Sequence, residues 1–220
     1  MVLNLKLIDI QARLATDLQR DYEGSIGMTQ ISRLLVELVH KNGHGDEDVI
    51  TNEEGSPTLP GFYEQTTEWE FIVMRRNRLV AVIRLDGVVA EDNHHQRTAE
   101  AVYAAHAFQA AYRADMFEAL TRPFVGWLML VEDAPKSRSP VTDRSPHFPV
   151  RPEFQSASYI QRYDLLCRKL MQENLYTAAS VITSPATAAR NGRFTEVSEM
   201  TGLRNFITTF AAHIAAEAAR

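Results

Sequence analysis

Apolar residues recur at helical spacing near the start of the chain (Leu7, Ile10, Leu14, Leu18), which predicts an amphipathic helix over 5–20. A second helix is expected over 29–40, with Ile31, Leu34, Leu35, Leu38 and Val39 on its buried face and Asn42-Gly43 ending it. Residues 44–59 are acidic, with Gly and Pro, and read as a surface loop. The period then changes. Trp69-Glu70-Phe71-Ile72-Val73-Met74 and Leu79-Val80-Ala81-Val82-Ile83-Arg84-Leu85 are strand-like runs on either side of the polar turn Arg75-Arg76-Asn77-Arg78, which predicts a hairpin. A helix rich in Ala and aromatic residues is expected over 98–120, stopped by Pro123, and the most apolar strand over 124–131. Residues 133–152 contain Pro135, Pro140, Pro146, Pro149 and Pro152, so an ordered loop is expected there rather than a helix. A helix over 159–174, a strand over 176–183 and a last helix within 198–216 complete the pattern. The alternation implies an α/β layer architecture. Without repeats or internal linkers it is read as a single domain over 1–220, with 1–28 as an N-terminal helix and arm.

Composition narrows the class. The 220 residues are 45% hydrophobic and 23% charged, enough to bury a sizeable core and too apolar for disorder. No apolar run approaches the ~20 residues of a membrane span. Charge inside the first apolar stretch argues against a signal peptide or anchor. The single cysteine, Cys167, excludes an internal disulfide framework and a cysteine-rich zinc site. A cytoplasmic address is the resulting expectation. The net charge of −5 is not that of a basic nucleic-acid coat. It leaves room for a local basic surface, and Lys136, Arg138, Arg144, Arg151, Arg162, Arg168 and Lys169 crowd one stretch of the C-terminal half.

Generic catalytic patterns are sparse. Glu91-Asp92-Asn93-His94-His95 has metal-ligand residue types, but adjacent histidines diverge on a strand or a helix, and a polar loop before a helix is expected. Cys167, beside Leu166 and Leu170, reads as a small core residue. The chain has no GxSxG, P-loop or GxGxxG motif. In the Pro-rich loop, Lys136-Ser137-Arg138-Ser139 and Arg144-Ser145-Pro146-His147 alternate cations with hydroxyls, donors that suit phosphates and guanine edges. From composition alone, a solvated basic loop is the better account of them.

The stretch GWLMLVEDAPKSRSPVTDRSPHFPVRPEFQSASYIQRYDLLCRKLMQENLYTAASVITSP, 126–185, resembles the C-terminal half of the XhoI-type restriction endonucleases. The shared features are a strand ending Val-Glu-Asp, a Ser-Arg-Pro-rich loop, a Pro-Glu-Phe turn and an Arg-Tyr-Asp helix. Upstream, Leu59-Pro60-Gly61-Phe62-Tyr63 and Trp69-Glu70 resemble the family's entry to its first hairpin strand. The resemblance implies a restriction-endonuclease-like core with a mixed central sheet flanked by helices. It also implies a PD-(D/E)xK nuclease, Mg²⁺, double-stranded DNA carrying a CTCGAG palindrome, and a homodimer. The family pattern places an acid on the first hairpin strand and Glu-x-Lys-Ser on the second. Here the acid falls on Glu70, and the Glu-x-Lys on Arg84-Leu85-Asp86, with Gly87 in place of Ser.

That departure matters, because two carboxylates would hold the cation and a lysine would assist the attacking water. Glu70 and Asp86 are the only metal-ligand candidates left at the degenerate positions, and Arg84 puts a fixed positive charge where a carboxylate belongs. The expectation is that the guanidinium replaces the cation and pairs with both acids, giving a DNA-binding pseudo-nuclease without bound Mg²⁺, as a homodimer or as the partner of an intact paralogue. Its DNA-contact candidates are Lys136, Arg138, Arg144 and Arg151. Two alternatives stand beside it. One is an active Mg²⁺-dependent endonuclease whose missing carboxylate comes from Glu91, Asp92 or Glu37; the other is a protein-interaction role with DNA binding lost.

Overall fold

A computed structural model describes residues 6–19, 26–53, 55, 57–89, 94–142 and 145–220. Helices α1 (Leu7–Asp17) and α2 (Thr29–Lys41) open the chain, followed by strand β1 (Val49–Thr51) and the small hairpin β2 (Thr58–Pro60) and β3 (Thr66–Glu68). Strands β4 (Phe71–Arg75) and β5 (Arg78–Val88), helix α3 (His94–Arg113) and strand β6 (Phe124–Glu132) form the centre. Then come the one-turn α4 (Pro135–Arg138), α5 (Tyr159–Gln172), β7 (Ala178–Ser184), β8 (Thr195–Glu196) and α6 (Leu203–Ala218). Six strands make a mixed sheet in the order β1-β4-β5-β6-β7-β8. Strands β5, β6 and β7 run parallel, and the outer pairings are antiparallel. The α/β class and the mixed sheet flanked by helices are therefore as expected.

The period-2 pattern of β6 explains why the sheet is covered on both sides. Phe124, Leu128 and Leu130 join a core with Leu14, Ile31 and Phe210, from α1, α2 and α6. Val125, Trp127, Met129 and Val131 join a second core with Ala101, Tyr163 and Cys167, from α3 and α5. A strand apolar on both faces must be central, because either face left open would expose several large side chains. The hairpin between β4 and β5 closes on Arg76 and Asn77, both at positive φ (49° and 65°). Paired positive φ values give the turn a twist that matches the strands it joins. No helix among the described residues is long and apolar enough to cross a membrane.

Four expectations need correction. The acidic segment 44–59 contains β1, whose Val49 pairs with Val73, and the first residues of β2. The Pro-rich segment 133–152 is not helix-free: Pro135 opens α4, where its missing N–H costs nothing. Helix α3 starts at His94, inside the supposed polar loop. It ends at Arg113, ten residues before Pro123, because Asp115 at φ 51° caps it, with Met116 N–H donating to the Ala111 carbonyl. At the other end of the chain, Asp17 links the first two helices. Its carboxylate accepts from Gln30 N (2.8 Å) and Ile31 N (2.9 Å), satisfying the first turn of α2.

Candidate active site

The hairpin register sets the geometry. Phe71 lies opposite Ile83, so Glu70, one residue before β4, comes level with Arg84. Arg84 and Asp86 alternate on β5 and share the face turned toward α3 and α5. Their neighbours on β6 are Trp127 and Met129. Asp86 is buried and fully engaged. Arg97 Nη1 donates to Oδ1 and Trp127 Nε1 donates to Oδ2, each at 2.7 Å. The expected pairing of Arg84 with the acids is present as an ion pair with Asp86 and as longer-range attraction to Glu70, without hydrogen bonds. Its Nε lies 3.8 Å from Asp86 Oδ2, and it makes no hydrogen bond to either carboxylate. The cause is the β pleat, which brings Asp86 beside the indole of the next strand and the first turn of α3.

Glu70 is placed differently. Its Oε2 accepts the Leu85 N–H at 3.2 Å, and it lines a cavity of about 210 Å³ with Leu85, Gly87, Ser32 and Glu53. Leu85 and Gly87 occupy the opposite face of β5 from Arg84 and Asp86, so the three candidate side chains do not all point into one space. Glu70 nevertheless remains within their field. Burial pushes its carboxyl above the usual range, with Arg84 opposing and Asp86 adding to the shift. Burial also opposes the charge on Arg84, but Asp86 and Glu70 outweigh it and hold the guanidinium cationic. Gly87 has its own reason. A Cβ there would lie 1.9 Å from the Ile26 carbonyl oxygen, so the segment before α2 crosses this strand only because residue 87 has no side chain.

Among the described residues, the donor set does not suit a Mg²⁺ ion. Hard cations need several free oxygen ligands. Here both Asp86 oxygens are occupied, and a guanidinium stands beside them. Among the described residues, no three His, Cys, Asp or Glu side chains come together in a way that could hold a metal. Of the alternative carboxylates, Glu37 pairs with Arg13 at 2.5 Å, while Glu91 and Asp92 lie outside the described residues.

The basic loop follows β6 at the carboxyl end of the parallel strands, beyond the level of Arg84 and Asp86, which lie opposite Trp127 and Met129 in the middle of that strand. Ligands characteristically bind at that carboxyl end in open α/β sheets. Lys136 is exposed with no ion pair among the described residues. Arg138 is engaged by Asp133, with Nη2 at 2.7 Å from Oδ2, and the guanidinium holds that carboxyl below its ordinary range. Arg151 is exposed and stands 3.7 Å from Glu153. Arg144 lies outside the described residues. The Arg-Tyr-Asp run of α5 anchors this loop. Buried Arg162 donates to the carbonyls of Ala157 (3.2 Å) and Val141 (3.0 Å). Asp164 accepts from Ser198 (2.7 Å), Thr201 (2.6 Å) and Arg168 (2.8 Å). Tyr163 packs on His94, ring centroids 4.5 Å apart. Cys167 is fully buried and its thiol is pushed up by burial, which leaves it inert.

Sequence reasoning missed Arg97 and Trp127, although both carried a signal. A cation in the first turn of a helix opposes the macrodipole, which implies a partner. A buried indole in a central strand needs an acceptor for its N–H.

The family profile described as restriction endonuclease XhoI matches residues 19–196. The chain is 33% identical over 204 residues to the type II restriction enzyme BstVI of Geobacillus stearothermophilus, covering 89% of this chain and 90% of that protein. It is 37% identical over 166 residues to the type II restriction enzyme XhoI of Xanthomonas vasicola, covering 74% and 67%. It is 41% identical over 119 residues to the type II restriction enzyme AbrI of Azospirillum brasilense, covering 52% and 53%. No solved structure matches the chain significantly.

Proposed function

Since the chain belongs to the XhoI restriction endonuclease family, we propose that it binds double-stranded DNA on a type II restriction-endonuclease scaffold and does not cut it. The observation that carries this reading is the engagement of Asp86 by Arg97 and Trp127 with Arg84 alongside. A divalent cation would have to displace two 2.7 Å hydrogen bonds and sit near a fixed positive charge. Unit charges 4 Å apart interact by about 4 kcal/mol at an effective dielectric of ~20, and a divalent ion doubles that repulsion. Lys136, Arg138, Arg144 and Arg151 are assigned to DNA contact. The protein acts in the cytoplasm as a homodimer, which suits a palindromic site, or with an intact paralogue.

A second reading is supported by the relatives, which are named type II restriction enzymes. In it the protein is an active Mg²⁺-dependent endonuclease, and Glu91 or Asp92 supplies the carboxylate that Arg84 displaced. A gel shift on a CTCGAG duplex, run with and without Mg²⁺, separates the two. Binding without product in either lane is expected; a shifted band that converts to cleaved duplex on adding Mg²⁺ would establish the second reading. Replacing Arg138 and Arg144 with Ala should weaken the shift and flatten its salt dependence by about 0.9 per lost phosphate contact.

A further inference from the structure

We propose that Arg84 is a phosphate clamp, taking a DNA backbone phosphate directly where the family pattern has a metal-binding carboxylate. This rests on the DNA-binding reading above and extends it to the group that meets the DNA.

A guanidinium carries five N–H donors, and buried polar groups are nearly always bonded. Arg84 departs from that rule. Its side chain is only 15% exposed, yet it donates no hydrogen bond among the described residues, and its Nε is buried without a partner. The two nearby acids do not satisfy it: Asp86 is held by Arg97 and Trp127, and Glu70 accepts from Leu85 N–H. What remains is a guanidinium that is ion-paired with Asp86 but hydrogen-bonded to nothing among the described residues, and its natural complement is an oxyanion that its remaining donors can meet. Location selects among oxyanions. Arg84 lies level with Trp127 in the middle of β6, and the carboxyl end of that strand, five residues on, leads into the loop bearing Lys136 and Arg151. An anion that meets both the guanidinium and the loop is a polymer, so the oxyanion is a backbone phosphate. Glu70 and Asp86 offset the charges of Arg84 and Arg97. The gain therefore comes from the geometry of the guanidinium rather than from net charge, and it is modest.

Fluorescence anisotropy on a labelled short duplex with a central CTCGAG tests this, comparing the parent with Arg84→Met and Arg84→Lys across salt concentrations. Arg84→Met should weaken binding about tenfold and flatten the log–log salt slope by about 0.9. Arg84→Lys keeps the charge, so it should keep the slope while recovering only part of the affinity. A neutral methylphosphonate scanned along the duplex should find one position that weakens the parent but leaves Arg84→Met unaffected. Parent-like affinity and slope in Arg84→Met would overturn the clamp, leaving Arg84 as a structural cation and the DNA-binding reading intact. If Arg84→Met does not fold, the scan on the parent and Arg84→Lys decides. A position where the parent loses more than Arg84→Lys supports the clamp, and its absence overturns it. A parent that binds no duplex removes both readings.

Discussion

Two buried arginines show what a buried charge can be for. Arg162 in α5 is 5% exposed and donates to two main-chain carbonyls that fix the Pro-rich loop. Arg84 in β5 has no hydrogen-bond acceptor among the described residues, although two carboxylates stand nearby. The first is satisfied by the fold and serves the fold. The second is held by charge alone: Asp86 and Glu70 outweigh its desolvation, but neither accepts a hydrogen bond from it.

Substitutions should separate the two. The largest effect is expected at Arg162→Met, which strands the carbonyls of Ala157 and Val141. A loss of about 3–5 kcal/mol in urea denaturation is expected, and a loss under about 1 kcal/mol would place Arg162 outside the framework. Arg84→Met should cost less, because no hydrogen bond is lost and relief of desolvation offsets part of the lost attraction to Asp86 and Glu70. Equal destabilisation at both sites would erase the contrast.

Asp17 gives an intermediate case, a buried carboxylate satisfied by two main-chain N–H groups and still expensive. Burial pushes its carboxyl up from 3.8 to about 6. Between those values the folded chain keeps a proton that the unfolded chain releases. Stability should therefore fall as pH rises from about 4 to about 6, by at most about 3 kcal/mol from this group. Glu70, also raised by burial, adds to the fall with the same sign. Urea midpoints across this window should flatten in Asp17→Asn, and an unchanged slope would show that Asp17 does not titrate there. A smaller effect than at Arg162 is expected at Trp127→Phe, which removes one donor from Asp86 and leaves a small cavity at a fully buried position. It should cost about 1–2 kcal/mol, and no change by thermal denaturation would mean that Asp86 is held by Arg97 alone.

Local pattern made most of the fold legible. The hairpin, the two-faced β6 and the amphipathic α2 and α5 were readable because their periods persist over many residues. Strand β1 was not, because three residues are too few to show alternation, and its evidence is a partner more than twenty residues away. Glu70, Arg84 and Asp86 were legible as a hairpin set, but their partners were not. Arg97 meets Asp86 across a helix start, and Trp127 meets it across a parallel strand pair that no local signal specifies. This changes the route to restoring the family pattern. Arg84→Glu with Asp86→Lys would place a lysine against Arg97 and the indole N–H, so Arg97 must change as well.

The most direct test of the account is a Mn²⁺ titration of the purified protein by electron paramagnetic resonance, comparing the parent with Glu70→Ala. Mn²⁺ reports on hard-cation sites without requiring cleavage. The account predicts no Glu70-dependent binding, because Arg84 occupies the charge position and Arg97 and Trp127 hold Asp86. A Mn²⁺ site in the parent that disappears in Glu70→Ala, accompanied by cleavage of CTCGAG plasmid, would contradict it.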